Sequence, residues 1–278
     1  MGAYVARRLV TLVPVMLGIS IVVFLAINMV PGNAVQIMLG IEATPEMQAV
    51  LEHQLGLDRP VYVRYALWLG RLLRGDFGRS IVTGLPVSAE IASRFGVTLQ
   101  LIVLATVLSV LVAIPLGIIS ALRQDSAVDF VTRIGALAGI SLPGFAIGVL
   151  LILVASRFFG WYPSVGFVSL WERPLEAIQI LALPVVSLGM GLAASTSRMT
   201  RAMILEVLRQ DYVRTARSKG LHERVVIYRH ALKNAVIPIM TIVGMQVGYL
   251  LGGTVVVEEV FSLPGLGRLI LTSIFKRD

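Results

Sequence analysis

The sequence predicts an all-α integral membrane protein, a polytopic bundle of helices, on three observations. Only 14% of the 278 residues are charged and the mean hydropathy is +0.85, whereas a soluble domain carries about 25% charge. The apolar residues gather in runs of about 20, the length that takes a helix across about 30 Å of hydrocarbon. The net charge of +8 falls on one side of the bilayer when these runs are threaded through it in turn.

Five stretches qualify as spans: Leu9–Val30, Val97–Leu122, Phe130–Phe159, Ala177–Ser197 and Asn234–Val257. The first follows Arg7 and Arg8 and runs for 22 residues with no Ala-x-Ala site. A secretory signal has an apolar core of about 7–15 residues, so this stretch reads as a retained span. With the N-terminus in the cytoplasm, the inner segments are 1–8, 123–133 and 198–233. They hold 2, 2 and 9 basic residues against 0, 2 and 3 acids, and the rest of the chain holds 11 of each. This is the positive-inside pattern. Basicity therefore reports topology and contact with the lipid bilayer, and no nucleic-acid partner is expected.

Residues 31–96 form the long outer loop. Thr44-Pro45 is a helix start leading into Glu46–Leu55. Asp58-Arg59-Pro60 starts a second helix, in which Tyr65, Trp68, Leu69, Leu72 and Leu73 form a stripe opposite Arg64, Arg71 and Arg74, ending at Gly75. A structural lid and a docking face for an external partner are both open readings of it.

Several chemistries are excluded by inspection. With no cysteine there are no disulfides, thiolate metal sites or thiol catalysis. None of Lys219, Lys233 and Lys276 follows a glycine, so there is no Gly-x-x-x-x-Gly-Lys phosphate loop. His222 and His230 lie eight apart, unsuited to a local metal pair. The spans hold no ionisable group away from their ends, where Arg133 and Arg157 can snorkel, which argues against an ion-coupled carrier. They do contain glycines at four-residue spacing, Gly135/Gly139, Gly144/Gly148 and Gly244/Gly248/Gly252, which suit close helix packing. Pro115, Pro143, Pro184 and Pro238 can kink helices. Gln100, Gln179 and Gln246 are candidate pathway residues.

Residues 211–238 hold six of the 24 basic residues and two of the three histidines. Asp211 is an N-cap candidate, Tyr212–Lys219 forms two helical turns, and Gly220 supplies a left-handed stop. A second amphipathic helix starts at His222, with Val225, Tyr228, Ala231 and Leu232 on one face. This inner segment is either an inert basic loop or a knob for a cytoplasmic partner, and its ordered caps exceed what topology requires.

Tyr212-x-Arg214-Thr215-Ala216-x-x-Lys219-Gly220, followed by Arg229-His230-Ala231-Leu232-x-Asn234-Ala235, resembles the Glu-Ala-Ala-x-x-x-Gly loop of permease subunits in binding-protein-dependent ABC importers. It is most similar to the dipeptide and oligopeptide branch of B type. Arg7-Arg8 with Met29-Val30-Pro31-Gly32 fits the same branch, as do Gly75-Asp76-Phe77-Gly78-Arg79-Ser80 and Glu258-Glu259-Val260-Phe261 with Pro264-Gly265-Leu266-Gly267. The chain departs from the general pattern with Arg214 and Thr215 in place of Glu and Ala, and with Lys233 where a proline is expected. The family also has a sixth span, expected but absent from these 278 residues.

The resemblance implies a type I importer permease domain over 1–278 and a coupling loop at 198–233. It also implies an outer re-entrant or gate segment at 258–278. It assigns Tyr212, Arg214, Thr215, Ala216, Lys219, Gly220, Leu221, His222 and Tyr228 to ATPase coupling. It assigns Asp76, Glu258, Glu259, Phe261 and Pro264 to an outer gate or to docking of the binding protein. The implied partners are a homologous second permease, two cytoplasmic ATPases that bind ATP and Mg, and an extracytoplasmic peptide-binding protein. The chain itself is expected to bind no cofactor and to catalyse no reaction. A nickel or nickel-chelate importer permease and a passive channel remain the alternatives.

Overall fold

The computed structural model describes residues 2–29, 35, 39, 44–162, 166–276 and 278. Val30-Pro31-Gly32, part of the N-terminal match, lies outside them. No strand occurs among the described residues, only an isolated bridge between Arg79 and Pro86. The chain divides into two compact units, Met1–Ile91 with Thr272–Asp278, and Ala92–Leu271.

In the first unit, α1 (Gly2–Met29) is apolar and almost wholly exposed, as a lipid-facing span is. Ser20, Phe24 and Asn28, one helical turn apart, are its half-buried exceptions. Ser20 shares a 2.8 Å hydrogen bond with the Tyr65 hydroxyl, and the Phe24 ring lies 5.4 Å from Tyr65 and 5.9 Å from Trp68. Helix α2 (Pro45–Leu55) starts as expected: the Thr44 hydroxyl accepts from the Met47 N–H, and Gly56 closes the helix in the left-handed region. Helix α3 (Val61–Leu72) ends in a turn that Gly75 completes at φ +79°, with the Asp76 N–H bonded to the Arg71 carbonyl. Tyr65, Leu69 and Leu72 are half-buried, but so is Arg64 from the opposite row, and Trp68 and Leu73 of the expected stripe are exposed, Leu73 at 80% because it lies past the last regular turn.

The second unit continues from α4 (Val87–Leu122) through α5 (Ala127–Ser141), α6 (Gly144–Phe159) and α7 (Pro174–Leu208). The expected span at Phe130–Phe159 consists of two helices that meet at 103° around Leu142-Pro143 and are together apolar enough to count as one broken span. Proline disfavours a helical predecessor and has no N–H, so the break falls there. Helix α5 runs antiparallel to α7: Asp129 and Gly139 meet Arg201 and Ala194 in descending order, and past the break Gly144 and Gly148 both meet Ser187. Helix α4 runs parallel to α7, with Gly189 against Ala105 and Leu108, and Gly117 against Ser197 and Thr200. A Cβ on Gly117 would lie 2.5 Å from the Thr200 Cβ, so one close helix approach rests on a glycine outside the expected repeats. Of those repeats, a Cβ added at Gly139 or Gly148 would crowd a neighbour and one at Gly144 would make ordinary contact, whereas one at Gly135, Gly244, Gly248 or Gly252 would meet no neighbouring element within 4 Å.

The fourth expected span also extends further, since α7 stays helical through Leu208. After α8 (Asp211–Ser218), the short α9 (Glu223–Val225), a π-helical stretch at Val226–Ala231 and α10 (Leu232–Gly253) run on as one 31-residue apolar helix. The separate second amphipathic helix is therefore corrected to the first turns of the last span. The π-helical turn also shifts the face: Val226, Ile227 and Ala231 are buried, while Tyr228 is exposed and Val225 largely so. A wider turn than the 3.6-residue period assumed from sequence accounts for the shift.

At the end of the unit where α4 stops and α5 begins, Asp129 is fully buried. Its two oxygens accept from Arg201 Nε and Nη2, each at 2.7 Å, and also from the Ser120 hydroxyl at 2.5 Å and the Asp125 N–H at 3.0 Å. At the other end, α11 (Val255–Val260) and α12 (Leu266–Lys276) form a hairpin. Val257, Phe261 and Leu263 join its inner face to an apolar cluster with Leu101, Ala105 and Leu181.

Candidate functional site

Helix α8 is eight residues long and amphipathic because Val213 and Ala216 share one face. Both are buried with Val226 against Val207 and Leu208. The opposite face presents Tyr212, Arg214, Thr215 and Lys219 to solvent, followed by Leu221 and His222. The sharp turn after it is fixed by the backbone. Gly220 has φ +74°, its N–H bonds to the Arg217 carbonyl at 2.9 Å, and the Leu221 N–H reaches the Ala216 carbonyl at 3.4 Å. This is a left-handed C-terminal cap, in which glycine carries no Cβ penalty.

One local expectation is corrected. Asp211 is not the N-cap but the first helical residue, behind Gln210, which makes no side-chain cap. The Asp211 carboxylate is exposed and lies 3.6 Å from Arg214. It still favours the helix through the positive N-terminal dipole.

Three contacts that sequence reasoning missed hold α8 against the start of the last span. The Asn234 amide donates to the Tyr212 hydroxyl at 2.8 Å. Arg217 pairs with Glu223 through Nη2 at 2.6 Å and Nε at 3.2 Å. This bond holds the Arg217 guanidinium above its ordinary value. Val213 and Val226 pack across the turn. Asn234 falls in the quoted motif, and its polar side chain just before an apolar run was the available signal. The His222 ring accepts from the Arg224 N–H at 3.3 Å, which makes it the N-cap of the next helix. Together these hold an exposed knob with a cationic and aromatic outer face.

The three glutamines differ in placement. Gln100 bonds Ser169 and the Leu170 N–H, and Gln246 accepts from Thr196, so both tie elements together. Gln179 is exposed.

The outer-segment residues are not alike either. Asp76 accepts from the Gly78 N–H at 2.9 Å within its own loop. Glu258 is fully buried: it accepts from the Thr98 hydroxyl at 2.7 Å and from the Arg268 N–H at 3.0 Å, and Gly265 and Gly267 leave it room. It holds the hairpin together and offers no surface. Glu259 pairs with Arg268 at 3.3 Å near solvent. Phe261 is buried against Gly148, and Pro264 is half-buried in the turn. Among the described residues, no group of three or more His, Cys, Asp and Glu is placed to hold a metal.

Residues 113–278 match the family model described as "Binding-protein-dependent transport system inner membrane component", and residues 1–102 match its N-terminal companion. The chain is 42% identical over 275 residues to the glutathione transport system permease protein GsiC of Escherichia coli (strain K12), covering 99% of this chain and 87% of that protein. The Salmonella typhi protein of the same name matches equally. A crystal structure of an amino acid ABC transporter with histidines aligns at TM-score 0.49 and 20% identity, over 68% of this chain and 80% of that one. The chain belongs to the inner membrane component family of binding-protein-dependent transport systems and is an ABC importer permease subunit of the dipeptide/oligopeptide type.

Proposed function

We propose that this chain forms half of the translocation pathway for small peptides of the glutathione class, delivered by an external binding protein. A homologous permease supplies the other half. Two cytoplasmic ATPases, which bind the ATP and Mg, each grip one coupling helix. In this chain that helix is α8, and the observation that carries the reading is its construction as a capped knob with one face anchored and the other free. The concentration of basic residues in 198–233 supports a cytoplasmic position for the knob and for the N-terminus. ATP binding draws the ATPases together and rocks the paired permeases towards the outer side. Hydrolysis then resets them, and this chain makes and breaks no bond. The outer hairpin at residues 258–278 serves as a gate segment.

The peptide assignment rests on the 42% identity to glutathione permeases. It is tested by uptake into vesicles holding the complete complex. ATP-dependent accumulation of labelled glutathione or dipeptide that requires the binding protein is the expected result. Uptake of a nickel complex instead, or uptake without ATP, would refute it. Cross-links from the ATPases are expected at residues 211–222, and cross-links confined to 123–133 would contradict the coupling assignment.

A further inference from the structure

Among the described ion pairs, only Asp129–Arg201 has a carboxylate wholly withdrawn from solvent. Burying two charges has a desolvation penalty that an apolar pair of similar volume avoids, so cohesion alone does not call for an ion pair here. An Arg fork on a carboxylate adds fixed geometry, with two parallel bonds that define both distance and rotation. We propose that the Asp129–Arg201 fork is a positioning latch, which makes α5 follow α7 so that a displacement of the knob reaches the broken span. The proposal rests on the reading of α8 as the element that the ATPase grips.

The route is continuous. Helix α7 ends at Leu208, and only Arg209 and Gln210 separate it from α8. Both are hydrogen-bonded back, to the Glu206 and Val207 carbonyls, and the Gln210 carbonyl accepts from the Val213 N–H. A push on α8 therefore arrives at the end of α7 with little slack. Arg201 lies roughly two turns further in. Its fork occupies both Asp129 oxygens, and Ser120 of α4 and Asp125 of the connecting turn bond the same carboxylate. One carboxylate thus ties α4, α5 and α7.

Further along, α7 meets the broken pair through small residues, Ala194 against Gly139 and Ser187 against Gly144. Small, smooth contacts permit sliding and rotation, whereas the fork fixes register. Helix α5 ends at the 103° break, and beyond it Gly148 of α6 receives the ring of Phe261 from the hairpin. A shift imposed on α5 is thereby passed towards the opposite end of the unit.

The test uses the complete complex in vesicles, with peptide transported and ATP hydrolysed measured together. Arg201→Lys keeps the charge and loses the fork. It is expected to assemble and to hydrolyse ATP without the binding protein at the wild-type rate, while peptide moved per ATP falls about tenfold, within the usual range for coupling between sites. The double variant D129N/R201Q removes the buried charges and guards against misfolding of the single one. The same fall in the ratio is expected. A wild-type ratio in either assembled variant overturns the latch, because a structural role is served by a neutral pair.

The native chain has no cysteine, so Lys219→Cys gives a single cross-linking site to the ATPase in each background. Cross-links retained in Arg201→Lys with a reduced ratio support the latch. Cross-links retained with an unchanged ratio overturn the latch alone. Cross-links lost only in Arg201→Lys also overturn it, since the pair would then be holding the docking surface. No cross-link in any background overturns the latch and the coupling reading together.

Discussion

Replacing Gly220 tests the knob most directly, because the residue has one structural duty. Its φ of +74° places it in the left-handed region, and a Cβ added there would meet nothing within 4 Å. The effect of Gly220→Ala is therefore conformational alone, about 1–2 kcal/mol for an L-residue held in this region. Asn tolerates the region better and is expected to lie between Gly and Ala. Proline fixes φ near −65° and has no N–H, so Gly220→Pro loses both the turn and the 2.9 Å bond to the Arg217 carbonyl. Its cost is about 3 kcal/mol or more, enough to abolish the turn and release α8 from Glu223. At about 1.4 kcal/mol per factor of ten, the Ala variant weakens the ATPase grip by about 5–30-fold. The assay is binding of the purified ATPase to the permease pair in vesicles, with membrane insertion checked separately. The expected affinity order is Gly, Asn, Ala, Pro, with insertion unchanged throughout. Wild-type binding and uptake by the proline variant would refute the reasoning.

Other substitutions probe separate parts of the fold. Glu258→Ala leaves the Thr98 hydroxyl and the Arg268 N–H without their acceptor, a loss of about 2–4 kcal/mol; Glu258→Gln keeps one acceptor oxygen and turns the other into a donor, so it should lose less than Ala without matching Glu, read as thermal melting in detergent. Gly267→Ala would put a Cβ 2.5 Å from the Val255 Cα, so about 1–3 kcal/mol of stability is expected to go. Gly244→Ala, with open space around it, should leave the melting of the isolated chain unchanged or raise it slightly. Tyr212→Phe removes the 2.8 Å bond to Asn234, about 1 kcal/mol, and should speed hydrogen exchange in residues 211–222 while leaving the spans protected.

The sequence by itself determined the membrane class, the approximate places of the apolar segments, the two helices of the long loop and the turn at Gly220. These rest on local physics: residue hydropathy, proline's missing N–H, and the freedom of glycine at positive φ. It also carried the family through its motifs, and the family models and the 42% identity bear that out. Tertiary structure decided what local signals leave open. Pro143 allows either a kink or a break, and only the fold shows two helices that meet there at 103°. The π-helical turn moved the buried face from Tyr228 to Val226 and Ile227, since the helical period was itself set by packing. Asp129 and Arg201 lie 72 positions apart, and in the sequence each is only one of the charges counted in its inner segment. Glu258, assigned by resemblance to an outer gate or docking segment, is buried and accepts from Thr98, 160 positions away. A charge declares its partner only in three dimensions, because desolvation and hydrogen bonding depend on what the fold brings beside it.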